Sequence, residues 1–336
     1  MSTALLIAGH GSRDPDGIAE FLDLARHFRA LRPDVPTEIA FLEFARPTIQ
    51  ESIDRLVNNG ARTVVVLPGV LMAAGHAKND MASEVRLARQ RHPGVAFQMG
   101  RALDVDPDLL KLCHLRYQEA LAGRPTVEPK DTLLLLVGRG SGDPDANSNV
   151  AKVARFLQEG YPVAWSAVAF SGIAEPLLED ALPVCERLGF RRIVVQPYFL
   201  FTGVLLKRIY ATVEKHQQAR ADIEFVPTPH LQAHPLLMDV FARRFEEVLH
   251  GEGHMNCSLC QYRVPILGHE AKVGEPQQPH HHHVQGLHQH VHSLDDGHAH
   301  HEHGHHHGGH GHKPDDASEH DEPHPWNDEL LQRLRF

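Results

Sequence analysis

Residues 4–8 (Ala-Leu-Leu-Ile-Ala) are uniformly apolar, the pattern of a short strand buried on both faces. The Gly9-His10-Gly11-Ser12 that follows reads as a tight turn. Apolar residues then recur at helical spacing over 16–31, until Pro33 and Pro36 end the run. The same logic predicts a strand at 38–42 and a helix over about 47–58 with Pro47 in its first turn. A Val-rich strand at 63–67 follows, then a loop over 69–79, a helix at 81–90, a strand at 95–99 and a helix over about 107–121. Strict alternation of strand and helix predicts an α/β fold, a parallel sheet with helices on both faces.

The second half repeats this pattern. Gly9-His10-Gly11-Ser12-Arg13-Asp14-Pro15-Asp16 aligns with Gly138-Arg139-Gly140-Ser141-Gly142-Asp143-Pro144-Asp145. The same ungapped offset pairs Phe41 with Phe170, Pro47 with Pro176, Pro68 with Pro197 and Lys78 with Lys207. Two duplicated lobes are expected, at 1–124 and 130–251, each flavodoxin-like. A segment at 252–270 and a tail at 271–336 follow, with Gly251 and Gly253 at the boundary.

The differences between the halves locate the chemistry. His10 faces Arg139, Glu43 faces Gly172 and His76 faces Leu205, so three ionisable side chains are present together in the first lobe only. In a doubly wound sheet, residues just beyond the first and third strands overlook one crevice. Two imidazoles and a carboxylate suit Co, Ni, Fe or Zn ions, and imidazole also accepts protons near neutral pH. Metal insertion into a tetrapyrrole needs both, because two pyrrole protons leave as the ion enters. His10, Glu43 and His76 are therefore the candidate catalytic and metal-binding residues. Taken alone, a histidine such as His10 is as readily a turn residue that caps the next helix.

The motifs Gly9-His10-Gly11-Ser12-Arg13, Glu43-Phe44-Ala45-Arg46-Pro47 and Gly75-His76 resemble the class II tetrapyrrole chelatases. Their order and duplication are similar to the long CbiX-type sirohydrochlorin cobaltochelatases of oxygen-independent cobalamin synthesis. The resemblance implies Co2+ as substrate ion, with His10 and His76 binding it and deprotonating the macrocycle, assisted by Glu43. Sirohydrochlorin, with its eight carboxylates, would lie between the lobes and meet Ser12, Arg13, Arg46, Lys78, Arg139, Lys207 and Arg208. Iron insertion towards sirohaem and nickel insertion are neighbouring activities, and affinity order does not select among the metals.

Beyond the second lobe, Met255-Asn256-Cys257-Ser258-Leu259-Cys260 resembles the iron–sulfur motif of long CbiX proteins, which implies a [4Fe–4S] cluster at Cys257 and Cys260. Two cysteines leave that ligand set incomplete; a redox pair or an inert thiol pair is equally compatible with the spacing. Cys113 and Cys185 fall in helical patterns and read as buried hydrophobes. From 280 to 324 there are 18 histidines, among them His280, His281, His282, His283, His305, His306 and His307. A segment so poor in apolar residues is expected to be disordered and to hold Co, Ni or Zn ions as a reservoir.

Charge and composition narrow the partners. The formal charge is -10, and residues 280–336 carry ten acidic against three basic side chains, leaving the rest of the chain near neutral. No basic stripe is available for nucleic acid. No apolar run is long enough to cross a bilayer, and the N-terminus predicts no signal peptide. Four cysteines are too few for a secreted disulfide framework, so a reducing cytoplasm is expected. A monomer and a homodimer are both compatible with duplication. Two other classes compete: a metal-storage or metallochaperone protein working through its tail, and a histidine phosphotransfer enzyme. The second lacks the Arg-His-Gly signature, since Gly9 precedes His10.

Overall fold

The computed structural model describes residues 2–253, 255 and 260–275. The described residues form one compact unit; residues 283–336 lie outside them, as do Cys257 and the tail histidines His280, His281, His282, His283, His305, His306 and His307.

The first half runs β1 (Thr3–Gly9), α1 (Pro15–Leu31), β2 (Thr37–Phe41), α2 (Ile49–Asn58), β3 (Thr63–Pro68), α3 (Ala82–Arg91), β4 (Ala96–Met99) and α4 (Pro107–Leu121). The second runs β5 (Thr132–Gly138), α5 (Pro144–Gly160), β6 (Trp165–Phe170), α6 (Leu178–Arg187), β7 (Arg192–Pro197), α7 (Val204–Ala219), β8 (Glu224–Pro227) and α8 (Pro235–Leu249). The strands form two parallel four-stranded sheets, ordered β2-β1-β3-β4 and β6-β5-β7-β8. This is the parallel α/β architecture expected, with β1 and β3 adjacent at the switch point.

The uniform hydrophobicity of β1 follows from what covers it. Leu5 and Ile7 face a core shared by both sheets, with Phe21 and Phe28 of α1, Leu112 of α4, Val153 of α5 and Phe241 of α8. Ala4, Leu6 and Ala8 face the other way, onto α2 and α3. In the second sheet, Leu134 and Leu136 enter the shared core, whereas Leu133 and Leu135 pack on α6 and α7. Helices α1, α4, α5 and α8 thus form a layer between the two sheets, and this layer fixes the cleft that both sets of strand ends border.

Two local expectations are corrected. Pro47 lies before α2 rather than inside its first turn, because Thr48 is the N-cap and completes a capping box with Glu51. His76 is not in a loop: it opens a six-residue π-helical turn, His76–Met81, that runs directly into α3. Such turns concentrate at functional sites.

The two halves meet through equivalent contacts. Lys78 binds Asp143 at 2.7 Å and Asp145 at 3.0 Å. Lys207, 129 positions further on, binds Asp14 at 2.8 Å and Asp16 at 2.7 Å, themselves 129 positions before Asp143 and Asp145. Reciprocal contacts of this kind are the signature of an isologous, two-fold interface, here within one chain.

Candidate active site

Three chain segments leave the carboxyl ends of neighbouring strands and converge. His10 follows β1, Glu43 follows β2 and His76 opens the π-helical turn after β3. The β1 and β2 exits are tied by backbone bonds, the Leu42 amide donating to the Gly9 carbonyl and the Glu43 amide to the His10 carbonyl. Gly11 makes this approach possible. Its φ is +99°, and a Cβ there would stand 1.8 Å from the Glu43 carbonyl oxygen. The glycine therefore serves the crossing of two loops.

His10 Nε2 lies 3.0 Å from His76 Nε2 and 3.0 Å from Glu43 Oε1. Two ligands at about 2.1 Å and at right angles around an ion stand about 3.0 Å apart, so both separations match edges of an octahedral coordination shell. Among the described residues these three side chains form the one group of three or more metal-competent donors, with ligand atoms all within 4.8 Å. Two histidines and a carboxylate on one side of an ion leave its other positions open for substrate.

The partners set the tautomers. The Arg139 guanidinium, which can only donate, meets His10 Nε2 at 3.3 Å, so Nε2 carries the lone pair and Nδ1 the proton, 3.1 Å from the Gly11 carbonyl. His76 Nδ1 donates to Asp80 Oδ2 at 2.9 Å, which aims the His76 Nε2 lone pair at the same point. Asp80 is fully buried and takes a further bond from Asn79 Nδ2 at 2.9 Å. Burial, then the Arg139 and His76 charges, hold the His10 imidazole down at about 4 and keep it neutral at neutral pH. A neutral imidazole is the form that binds metal.

The triad opens onto a cleft of about 570 Å³ whose lining draws on both halves, including Phe44, Met72, Tyr198 and Phe201. Phe44 holds a left-handed backbone, φ +63°, with its ring centroid 5.9 Å from that of His10. The Arg13 guanidinium stacks over the same ring at 4.9 Å. Arg139 Nη2 reaches from the second half to His10 Nε2 at 3.3 Å.

Of the seven side chains expected to meet substrate, Ser12, Arg13 and Arg139 line this cleft. Ser12 Oγ also accepts the Asp14 amide at 3.0 Å, a turn contact. The other four do not line it. Lys78 is 1% exposed and committed to Asp143 and Asp145, so its ammonium is interior glue between the halves. Lys207 is held by Asp14 and Asp16. Arg46 pairs with Glu51 at 3.1 Å. Arg208 donates to the Ser171 carbonyl and faces Glu179.

The iron–sulfur expectation gains no further ligand from the helices. Cys260 is buried, whereas Cys113 sits in the shared core and Cys185 in the outer core of the second half. Burial pushes these two thiols up to about 12 and about 11.

Sequence reading missed Asp80, though an acid four residues after His76 on a helical turn was a usable signal. It also missed that Arg139 turns towards His10; its alignment with His10 was visible, but not that the two positions face each other.

A model of the CbiX family matches residues 4–120 and 133–248. A sirohydrochlorin cobaltochelatase of Priestia megaterium is 38% identical over 267 residues, spanning 79% of this chain and 86% of that protein. A sirohydrochlorin ferrochelatase of the same organism is 28% identical over 253 residues, 75% of this chain and 92% of its own length. Among solved structures, SirB from Bacillus subtilis with Fe3+ matches with a TM-score of 0.66 at 29% identity, covering 76% of this chain and all of that one.

Proposed function

Since the chain belongs to the CbiX family, we propose that it is a sirohydrochlorin cobaltochelatase, inserting Co(II) into sirohydrochlorin with release of two protons. The observation that carries this reading is the lone-pair convergence of His10, His76 and Glu43 at the wall of an apolar cleft. The two Nε2 atoms and the Glu43 carboxylate hold the ion on one side and leave its remaining positions to the ring nitrogens. As the ion passes into the ring, the freed imidazoles and carboxylate accept the pyrrole protons. Apolar side chains such as Met72 and Phe201 cover the face of the macrocycle. Arg13 and Arg139 meet its peripheral carboxylates.

Iron is the second reading, favoured by the ferrochelatase relative and by the SirB structure with Fe3+. Cobalt is preferred because the relative at 38% identity is a cobaltochelatase. The C-terminal histidines act as an ion reservoir for the site, and the chain works in a reducing cytoplasm. Among the described residues, no helix is long and apolar enough to cross a membrane.

The test is a visible-absorption assay of purified protein with sirohydrochlorin and Co(II), Fe(II) or Ni(II). Conversion faster with Co(II) than with the other ions supports the assignment. Faster conversion with Fe(II) transfers it to sirohaem synthesis. No acceleration with any ion returns the chain to the storage class.

A further inference from the structure

Apart from Arg13, which stacks on Phe44, the cations near the cleft fall into two kinds. Lys78, Lys207 and Arg46 are each matched to a carboxylate, and Arg208 is engaged with the Ser171 carbonyl. Arg139 instead turns into the metal site: its Nη2 donates to His10 Nε2 at 3.3 Å, and its charge is felt by Glu43. His10 Nδ1 is already committed to the Gly11 carbonyl, so Nε2 has a single lone pair to give. The guanidinium takes the lone pair that an incoming ion requires. A guanidinium is permanently charged, so it also repels a divalent ion from the same point. Ion and guanidinium exclude one another twice over, by competition for one donor and by charge.

We propose that Arg139 is a displaceable cation that holds the ion's place until a carboxylate of the macrocycle draws it away. The inference rests on the chelatase reading for the nature of the macrocycle. Arg139 is exposed in the cleft and comes from the opposite half, so its side chain has room to swing without disturbing the triad. A carboxylate offers it a bidentate, charge-assisted partner, stronger than one bond to an imidazole. Once it swings, His10 Nε2 is released and the local charge falls, and the ion binds where the ring already waits. Coupling of this kind is reciprocal: whatever factor the macrocycle adds to ion affinity, the ion adds to macrocycle affinity. Arg139 is thus a positioning residue that sets the order of binding.

The test is a Co2+ titration of the full chain and of Arg139→Ala, without macrocycle. Each is compared with the same chain carrying His76→Ala, so that ions held by the C-terminal histidines cancel. Arg139→Ala is expected to tighten triad-specific Co2+ binding by about tenfold, while raising KM for the macrocycle in the insertion assay. An unchanged or weaker Co2+ affinity in Arg139→Ala overturns the inference and leaves the chelatase reading standing. If His76→Ala removes no bound ion in either background, the triad is not the ion site and both fall together.

Discussion

Arg139 donates to His10 Nε2 at 3.3 Å, and the two residues occupy the same position in the two halves of the chain, 129 apart. Equivalent positions meet only near a two-fold axis, as the reciprocal Lys78 and Lys207 contacts also require. The triad of His10, Glu43 and His76 therefore lies where the halves face each other. One half supplies His10, Glu43 and His76; the other places an arginine, a glycine and a leucine at those positions. This asymmetry sets the Arg139 cation of one half opposite the triad of the other.

Asp80 fixes the tautomer and direction of His76 from a fully buried position. Asp80→Asn keeps the shape and removes the charge that holds Nδ1–H in place. Ion affinity at the triad is expected to fall by roughly 10–100-fold, measured by titration against His76→Ala, with the far-ultraviolet circular dichroism unchanged.

Lys78 and Lys207 make equivalent contacts in unequal surroundings. Lys78 is 1% exposed, whereas Lys207 is 51% exposed. Lys78→Met strands two buried carboxylates and is expected to cost roughly 3–5 kcal/mol in urea unfolding. Lys207→Met, at an exposed and solvent-screened pair, is expected to move the urea midpoint far less. Equal losses would show that burial is not what distinguishes them.

The α/β class and the convergence of His10, Glu43 and His76 were legible from the apolar pattern and from the comparison of the two halves. Uniformly apolar strands signal two-sided burial, and three chemically matched differences between the halves point to one site. The fates of Lys78, Lys207, Arg46 and Arg208 were not legible. A basic residue near a motif looks the same in sequence whether it faces solvent, substrate or a carboxylate from the other half. Lys78 and Asp143 are 65 positions apart, and only the packing of one half on the other brings them together. The π-helical turn at His76 was hidden for a related reason, since Gly75 and the mixed residues around it read as loop.

Cys113 and Cys185 are buried, with thiols raised to about 12 and about 11. The thiolate is the reactive form, so native protein treated with iodoacetamide at pH 8 is expected to leave both unlabelled until denaturant is added. The folded state keeps these protons where the unfolded chain loses them. Their contribution to stability is therefore full below about pH 8.5 and is lost as pH rises towards 11 and 12. Labelling of either cysteine in native protein at pH 8 would reopen it as a cluster ligand.

Removing residues 279–324 takes away the 18 histidines counted from 280 onwards. The shortened chain is expected to bind several fewer Co2+ ions per molecule and to keep its insertion rate at saturating Co2+, losing rate only when the ion is scarce. Equal metal content in the two proteins, measured by elemental analysis after desalting, would end the reservoir reading.

The most direct measurement is the initial rate of Co(II) insertion into sirohydrochlorin by His76→Ala beside the unmodified protein. Circular dichroism of both confirms the fold. Loss of one of the two convergent lone pairs predicts a fall of about 100-fold or more. A folded His76→Ala that turns over at the unmodified rate would contradict the assignment of His10, Glu43 and His76 as the site of insertion.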